Sequence, residues 1–182
     1  SPAGLIAHYH AIAQATDLPI IIYNVPSRTG LNLQPETLAE LSEHEHIIAV
    51  KEASADMIRL GDMMRLSQGR VDFYSGSDEV TVPLMSLGGL GVISVVSNVA
   101  PALTSRMTRH MLKGNTREAA ALQLQLFPLI HALFSEVNPI PAKAGVNMLG
   151  LCEDRLRLPL VPLTARHRAQ LESEMRKLGI LA

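Results

Sequence analysis

Aromatic residues and cysteine are scarce in this sequence, and both scarcities limit what the protein can be. Of the 182 residues, 3% are aromatic and none is Trp, while 47% are hydrophobic. A core of this composition must be built from aliphatic side chains, and the chain length suits one domain or part of a larger one. The single cysteine, Cys152, cannot form an internal disulfide. This fits the reducing cytoplasm, which is the location we expect.

An excess of charge of one sign is also missing. The formal net charge is −1, and no basic patch indicates a nucleic-acid partner, so we expect none. One stretch, between Glu79 and Arg106, has no charged residue and is long enough to span a membrane. Glycines, prolines and serines interrupt it, and a buried parallel sheet produces similar uncharged runs. We therefore predict a short helix, a glycine turn and a strand there, and no membrane partner.

Short apolar segments alternate with helical patterns through the first part of the chain. Runs rich in β-branched residues predict buried strands at 18–25, 47–50, 71–76 and 91–97. Helical patterns lie between them, including one from residue 55 that Ser54 can cap, whereas PSRTG is interpreted as a loop. Alternation of this kind predicts βαβ units and a parallel sheet.

Two architectures share this pattern, an open doubly wound sheet and a (β/α)8 barrel. No glycine-rich phosphate loop joins a strand to a following helix, which counts against the doubly wound sheet and against a nucleotide-binding function. After residue 114 the strand patterns cease and helical patterns continue, with Thr164 as the cap of the last helix. We therefore divide the chain into 1–114, the βα part, and 115–182, a C-terminal helical region.

Residues able to do chemistry gather at one edge of the predicted sheet. Ligands of parallel α/β folds meet the carboxyl ends of the strands. Tyr23 ends the first strand and Arg28 follows it, Lys51 comes directly after the second strand, and Gly76 ends the third. Each has an ordinary interpretation when taken singly: a lysine reaching the surface, a tyrosine anchoring a strand end, an arginine on a surface loop.

Taken together, these residues favour a class I aldolase or lyase that acts on a keto acid. A lysine that loses hydration at a strand end becomes a better nucleophile and can form a Schiff base with a carbonyl group. A tyrosine can relay protons, an arginine can bind a carboxylate through two hydrogen bonds, and a glycine lets a substrate approach the backbone. The histidines of EHEH, residues 43–46, lack the spacing of a helical zinc pair, so we expect no metal site.

Several motifs resemble those of the dihydrodipicolinate synthase family, which belongs with the N-acetylneuraminate lyases among the pyruvate-dependent aldolases. They occur in the family's order along nearly the whole chain: YNVPSRTG, VKEAS, SGSD, GGLGVISVVSN and NPIPAKAG. The resemblance implies an α/β fold, the C-terminal half of a (β/α)8 TIM barrel with four parallel strands and helices, followed by a C-terminal helical region. Residues 1–114 would be the second half of the barrel.

The resemblance also implies roles for particular residues. Lys51 would be the Schiff-base lysine that binds pyruvate, Tyr23 the proton-relay tyrosine, and Arg28 the residue that holds the carboxylate of aspartate 4-semialdehyde. Gly76 and Ile93 would line the pyruvate pocket. The implied reaction joins pyruvate to aspartate 4-semialdehyde in the diaminopimelate route to lysine. It needs no metal or organic cofactor, and family members are commonly homotetramers.

Some family features are missing from this sequence, so alternative functions stay open. The threonine-bearing loop and the second relay tyrosine are absent, and Ser77 stands where many members carry Asp. Four barrel strands alone also leave two unpaired edges. We therefore expect an upstream half in a longer enzyme, and expect this chain alone to be inactive. The alternatives are another class I aldolase of the superfamily, acting on N-acetylneuraminate or a keto-deoxy-sugar acid, and an inactive half-barrel used for binding or assembly.

Overall fold

A four-stranded parallel sheet forms the centre of the first part of the chain. The computed structural model describes residues 1–181. The strands lie side by side in the order in which they follow one another along the chain, whereas a doubly wound sheet reverses its strand order at a switch point. The uninterrupted order therefore supports the barrel prediction. The strand bounds are β1 Ile20–Asn24, β2 Ile47–Glu52, β3 Asp72–Ser75 and β4 Gly91–Val92.

Helices connect the strands and make up the rest of the regular structure. In the helix preceding β1, the Ser1 hydroxyl caps the first turn, because it accepts a hydrogen bond from the Gly4 N–H at 3.2 Å. None of the helices within residues 1–181 combines the length and the apolarity that a bilayer crossing needs. The helix bounds are α1 Pro2–Gln14, α2 Pro26–Thr29, α3 Pro35–Leu41, α4 Met57–Ser67, α5 Thr81–Ser86, α6 Pro101–Leu112, α7 Thr116–Leu133, α8 Ile140–Met148 and α9 Ala165–Lys177.

Two local predictions are wrong, the cap of α4 and the assignment of PSRTG as a loop. The cap of α4 is Asp56, not Ser54, because the Asp56 carboxylate accepts from the N–H groups of Ile58 and Arg59. The Ser54 hydroxyl instead accepts from the Asp56 N–H at 3.2 Å and helps to form the turn before the helix. The segment PSRTG is a short helix, α2, rather than a loop. Gly30 ends it at φ +68°, a conformation that glycine adopts without strain.

The fourth strand is much shorter than predicted. Strand pairing stops at Val92, and residues 96–98 form a turn of 3₁₀ helix. In this segment the Ser97 N–H donates to the Ser94 hydroxyl at 2.8 Å, and the Ser97 hydroxyl donates to the Ser94 carbonyl. Serine side chains that bond to the nearby backbone compete with a strand ladder. The apolar character of the segment reflects burial of Val96, which lies in that turn.

Strand β1 is buried on one face and exposed on the other within residues 1–181. Strand β1 alternates, with Ile22 buried and Ile21 and Tyr23 exposed at 47% and 43%. The strand predicted as buried over 18–25 is therefore buried on one face only in the described chain. The buried face packs against α3 and α4 in one aliphatic core with a single Phe: Ile22, Leu33, Leu38, Leu41, Ile47, Val50, Leu60, Met63, Val71, Phe73 and Leu84.

The chain forms two compact units, Ser1–Ile93 and the part that begins at Ser94. In the second unit, α7 packs against α6 and α9, and its buried Leu129 and Leu133 form a core with Leu171 and Met175 of α9. Helix α7 continues through Pro128 without a break and ends at Leu133. The boundary predicted after residue 114 separates a barrel from a helical region. The division into compact units does not test that boundary, so it stays a prediction.

Glu136 anchors the start of α9. Its Oε1 accepts hydrogen bonds from the Thr164 hydroxyl at 2.6 Å and from the Thr164 N–H at 3.2 Å, and His167 Nδ1 lies 2.7 Å away. The hydrogen bonds from the side chains of Thr164 and His167 hold the pKa of Glu136 below its ordinary value. A lowered folded pKa stabilises the fold above the ordinary value of 4.5. That stabilisation is lost as the pH falls through the folded pKa.

The substitution Glu136→Gln is expected to lower the thermal midpoint at pH 7, because glutamine cannot supply the charge that these donors face. The difference from the unsubstituted protein should shrink as the pH falls below the ordinary glutamate value of 4.5. Thermal unfolding followed by circular dichroism between pH 7 and pH 3 measures this. The control is Glu172→Gln, which removes an exposed ion pair with Arg176 on α9. A Glu136→Gln deficit that stays constant over the pH range would contradict the prediction.

Candidate functional site

Tyr23 and Lys51 are register partners at the carboxyl ends of β1 and β2. Side chains of paired residues in neighbouring strands lie on the same face of a sheet, and for these two it is the exposed face. Lys51 Nζ lies 4.1 Å from the centroid of the Tyr23 ring. At this distance the face of the ring attracts a protonated amine. The structure therefore brings together the predicted nucleophile and the predicted proton relay.

Strand β2 extends through Lys51 and Glu52, so Lys51 belongs to the strand rather than following it. Its side chain is half-buried. Its partner on the other side is Tyr74 of β3, which places Lys51 between two tyrosines. Sequence reasoning missed Tyr74, although the alternation within VDFYSG could have placed it on this face.

Gly76 leaves room that no other residue type would leave. Its N–H donates to the Glu52 carbonyl at 2.7 Å. A Cβ atom at this position would lie 2.7 Å from the Ala53 Cβ and 3.1 Å from the Lys51 Cγ. Gly76 therefore contacts the stem of Lys51 directly, and a side chain here would displace that lysine or its neighbour.

The substitution Gly76→Ala is expected to lower the free energy of unfolding by about 1–3 kcal/mol, the usual cost of overpacking. Denaturant unfolding measures this. The matched control is Gly61→Ala, because Gly61 lies inside α4 with nothing within 4 Å of an added Cβ. That substitution should raise stability by about 1 kcal/mol through helix propensity. A Gly76→Ala protein as stable as the unsubstituted one would show that the neighbours of Gly76 can move freely.

The other two predicted site residues lie at the next strand end and on the helix that follows β1. The Ile93 N–H donates to the Ser75 carbonyl at 2.9 Å, which carries the pairing with β3 one residue past β4. Arg28 lies in α2, directly after β1, and is exposed. Tyr23, Lys51 and Gly76 thus form the centre of the site, with Ile93 at the next strand end and Arg28 on the helix beyond Tyr23.

Two buried polar residues, Asn24 and Glu52, lie directly after Tyr23 and Lys51 and are each 3% exposed. The Asn24 Nδ2 donates to Glu52 Oε2 at 2.8 Å. Sequence reasoning gave neither residue a role. The alternation of faces along each strand could have identified them, because it places these two polar residues on the buried face.

A cavity of about 280 Å³ adjoins Tyr23 but does not include Lys51 or Gly76. It lies among α1, β1 and the segment that follows α2, and its lining is mostly apolar. Tyr9 lines it, and burial raises the pKa of the Tyr9 phenol. Since Lys51 is not in its wall, a keto acid bonded to Lys51 would lie outside this cavity, on the exposed face of the sheet.

The histidines of EHEH do form a cluster. The rings of His44 and His46 are 5.4 Å apart, and that of His10 is 5.7 Å from His44. The His46 Nδ1 lies 3.0 Å from the Ala13 carbonyl, to which only a protonated nitrogen can donate. Across residues 1–181, no group of three or more His, Cys, Asp or Glu side chains has the arrangement to hold a metal ion.

Comparison with known proteins places the whole arrangement in one family. The model of the dihydrodipicolinate synthetase family matches residues 1–178. The 4-hydroxy-tetrahydrodipicolinate synthase of Thermoanaerobacter sp. (strain X514) is 48% identical over 179 residues, covering 98% of this chain and 60% of that protein. The synthase of Methanosarcina mazei is 43% identical over 183 residues, covering 100% of this chain and 62% of that protein.

Solved structures of the same family have the same fold. Dihydrodipicolinate synthase from Thermotoga maritima superimposes with a TM-score of 0.96 at 39% identity, covering 100% of this chain and 63% of that one. The synthase from Aquifex aeolicus gives a TM-score of 0.96 at 38% identity, covering 99% and 62%. The four parallel strands and their helices are therefore part of a (β/α)8 barrel, as predicted. The chain spans about 60% of the length of the curated relatives that it matches.

Proposed function

The chain belongs to the dihydrodipicolinate synthetase family, and we propose that it condenses pyruvate with aspartate 4-semialdehyde through a Schiff base on Lys51. The observation that carries the proposal is the contact between Lys51 and Tyr23, whose ring centroid lies 4.1 Å from Nζ. A lysine nucleophile needs a proton donor beside it, because the carbonyl oxygen of a keto acid leaves as water only after protonation.

The first half of the reaction builds the nucleophilic carbon. The unprotonated amine of Lys51 adds to the keto carbon of pyruvate, and the Tyr23 phenol protonates the oxygen, which leaves as water. The resulting iminium makes the methyl protons of pyruvate acidic, and transfer of one of them to the Tyr23 phenolate gives an enamine and restores the phenol. We assign Gly76 to the pyruvate pocket at the end of β3, where the absence of a side chain leaves space for the Lys51 stem. Ile93 supplies an apolar wall at the next strand end.

The second half joins the two substrates. The enamine carbon attacks the aldehyde of aspartate 4-semialdehyde, and the Tyr23 phenol gives its proton to the aldehyde oxygen. The amine of the second substrate can then add to the imine carbon, close the ring and release the Lys51 amine. We assign Arg28 to the carboxylate of aspartate 4-semialdehyde, since its exposed position beyond Tyr23 suits an incoming acid. The two substrates, the Lys51 amine and the Tyr23 phenol provide every group that these steps need. No metal or organic cofactor takes part in the proposed reaction.

The biological setting is proposed from the family alone. The condensation would be a step of the diaminopimelate route to lysine, carried out in the cytoplasm by a homo-oligomer, a tetramer as in the family resemblance. The exposed free thiol of Cys152 suits a reducing compartment. The formal net charge of −1 gives no reason to propose nucleic acid as a partner.

Borohydride trapping tests the proposal. The protein is incubated with pyruvate and reduced, its intact mass is taken, and the modified peptide is mapped, for this chain and for the longest natural form that contains it. We expect one adduct, on Lys51, and the same adduct in a Lys143→Arg control. An adduct on the longer form only would mean that further residues complete the pocket. No adduct on either form would exclude the Schiff-base mechanism.

A substrate comparison separates the synthase from its relatives. After pyruvate is bound, turnover with aspartate 4-semialdehyde is measured against turnover with N-acetylmannosamine and with sugar aldehydes. We expect turnover with the semialdehyde. Turnover only with the sugars would assign the chain to a sugar-acid aldolase that uses the same lysine.

A further inference from the structure

We propose that Asn24 and Glu52 are positioning residues that hold Tyr23 and Lys51 in the geometry needed for Schiff-base chemistry. The proposal rests on the function proposed above and adds two residues to it. Asn24 and Glu52, here called the strand-end pair, each follow one of the two site residues along the chain. Successive residues of a strand point to opposite faces, so the strand-end pair lies on the buried face directly behind the site.

Hydrogen bonds tie the strand-end pair to both strands and to the loops that leave them. Asn24 Nδ2 donates to Glu52 Oε2 and to Asn32 Oδ1, both at 2.8 Å. The Leu33 N–H donates to Asn24 Oδ1 at 3.0 Å, and the Ser54 N–H donates to Glu52 Oε1 at 2.6 Å. The pair therefore fixes the end of β1 against the end of β2, and each end against the segment after it.

A carboxylate is a costly choice for packing alone. Glu52 is 3% exposed, and burying a charge without partners is strongly unfavourable. Its hydrogen-bond partners are the Asn24 amide and the Ser54 N–H. Two short hydrogen bonds to one carboxylate fix its direction more tightly than an apolar contact would. The consequence is a rigid link one residue away from Lys51 and Tyr23, where a displacement of about 1 Å can cost about 100-fold in rate.

The polarity of the pair is determined by its partners. Glu52 accepts on both oxygens, so Glu52→Gln would place an amide N–H against the Asn24 amide or the Ser54 N–H. Asn24→Asp would place two carboxylates within hydrogen-bond distance. The double variant Asn24→Asp/Glu52→Gln reverses the polarity of the link and keeps the net charge. In it, the new amide at position 52 donates to the new carboxylate at position 24 and accepts from the Ser54 N–H. That carboxylate still accepts from the Leu33 N–H, and the Asn32 amide turns over to donate to it. These variants show whether the hydrogen bond between positions 24 and 52 is what matters, or the residue type at one of the two positions.

The experiment measures position and reactivity separately. The Lys51 side chain lies over the Tyr23 ring, 4.1 Å from its centroid at Nζ, so ring current should shift its ε-methylene protons upfield in the NMR spectrum. This shift reports position without any substrate. The rate of borohydride-trapped adduct formation at saturating pyruvate reports reactivity. Both are measured on the longest natural form of the protein, well below the thermal midpoint of each variant, with Tyr23→Leu as the reference for a lost ring-current shift.

We expect each single variant to lose most of the upfield shift and at least about tenfold in the trapping rate, with both restored in the double variant. The matched control is Ser42→Ala, which removes the 3.0 Å hydrogen bond from Arg70 to a buried hydroxyl in the same unit. It should lower stability and leave the shift and the rate unchanged. A folded Glu52→Gln protein with the native shift and the native rate would overturn the proposal.

Two further outcomes are decisive. If a single variant does not fold, Asn32→Ala replaces it, because it removes only the half-buried acceptor of Asn24. A native shift and rate in Asn32→Ala would then overturn the proposal. If the unsubstituted protein forms no adduct with pyruvate, the proposed function fails, but the NMR shift still decides whether the strand-end pair positions Lys51 against Tyr23.

Discussion

Replacing Lys51 with methionine is expected to abolish the pyruvate adduct and to lower turnover by roughly 10⁴-fold or more. Methionine keeps the length and the apolar stem of the side chain, so the packing against Gly76 survives while the amine is lost. Without the amine no iminium forms, and the methyl protons of pyruvate keep their low acidity. Intact mass after borohydride treatment and steady-state turnover with both substrates measure the two effects.

A second variant shows whether the amine itself is required. Lys51→Arg keeps a positive charge beside the Tyr23 ring but offers no nucleophile, because a guanidinium group stays protonated. We expect it to be as inactive as the methionine variant. The matched control is Lys113→Met, which removes an exposed lysine of the second unit. Turnover by Lys51→Arg within tenfold of the unsubstituted protein would mean that Lys51 acts through its charge and forms no covalent bond.

The second large effect is expected from Tyr23→Phe. Phenylalanine keeps the ring that lies 4.1 Å from Lys51 Nζ and removes only the hydroxyl group. Loss of a positioned general acid or base costs about 10²- to 10⁴-fold, so adduct formation should slow by that factor while its final extent stays high. A time course of trapping with pyruvate measures the rate and the extent in one experiment.

The control for this variant is Tyr9→Phe in the same unit. Tyr9 lies on α1 and lines the cavity beside Tyr23, but it has no part in the proposed chemistry. We expect it to trap pyruvate at the unsubstituted rate. An unchanged trapping rate in Tyr23→Phe would assign the proton transfers to another group, with Tyr74 on the other side of Lys51 as the first candidate.

Local patterns along the chain were enough to predict much of the fold. The β-branched runs around Ile22, Val50 and Phe73 place three strands correctly, and the alternation with helices predicts the parallel sheet. The cap of α1 at Ser1 and the start of α3 at Pro35 depend on residues within one helical turn. These features are local because a side chain and a backbone group a few residues away decide them.

Features that depend on competition between nearby partners were predicted less well. Ser54 and Asp56 can both cap a helix, and the backbone turn at Ala55, with φ +58°, selects Asp56. The strand predicted over 91–97 ends at Val92 because two serines bond to the local backbone. In both places the residue types allow two structures of similar free energy, and the surrounding chain decides between them.

The sequence by itself determined the fold class, the strand ends and the residue types that could do chemistry there. Only the tertiary structure decided that Tyr23 lies against Lys51, that a side chain at position 76 would collide with the Lys51 stem, and that Asn24 bonds to Glu52 behind them. The physical reason is that these contacts follow from the hydrogen-bonded register between strands that are distant in sequence. A one-residue change of register would move every one of these side chains to the other face of the sheet.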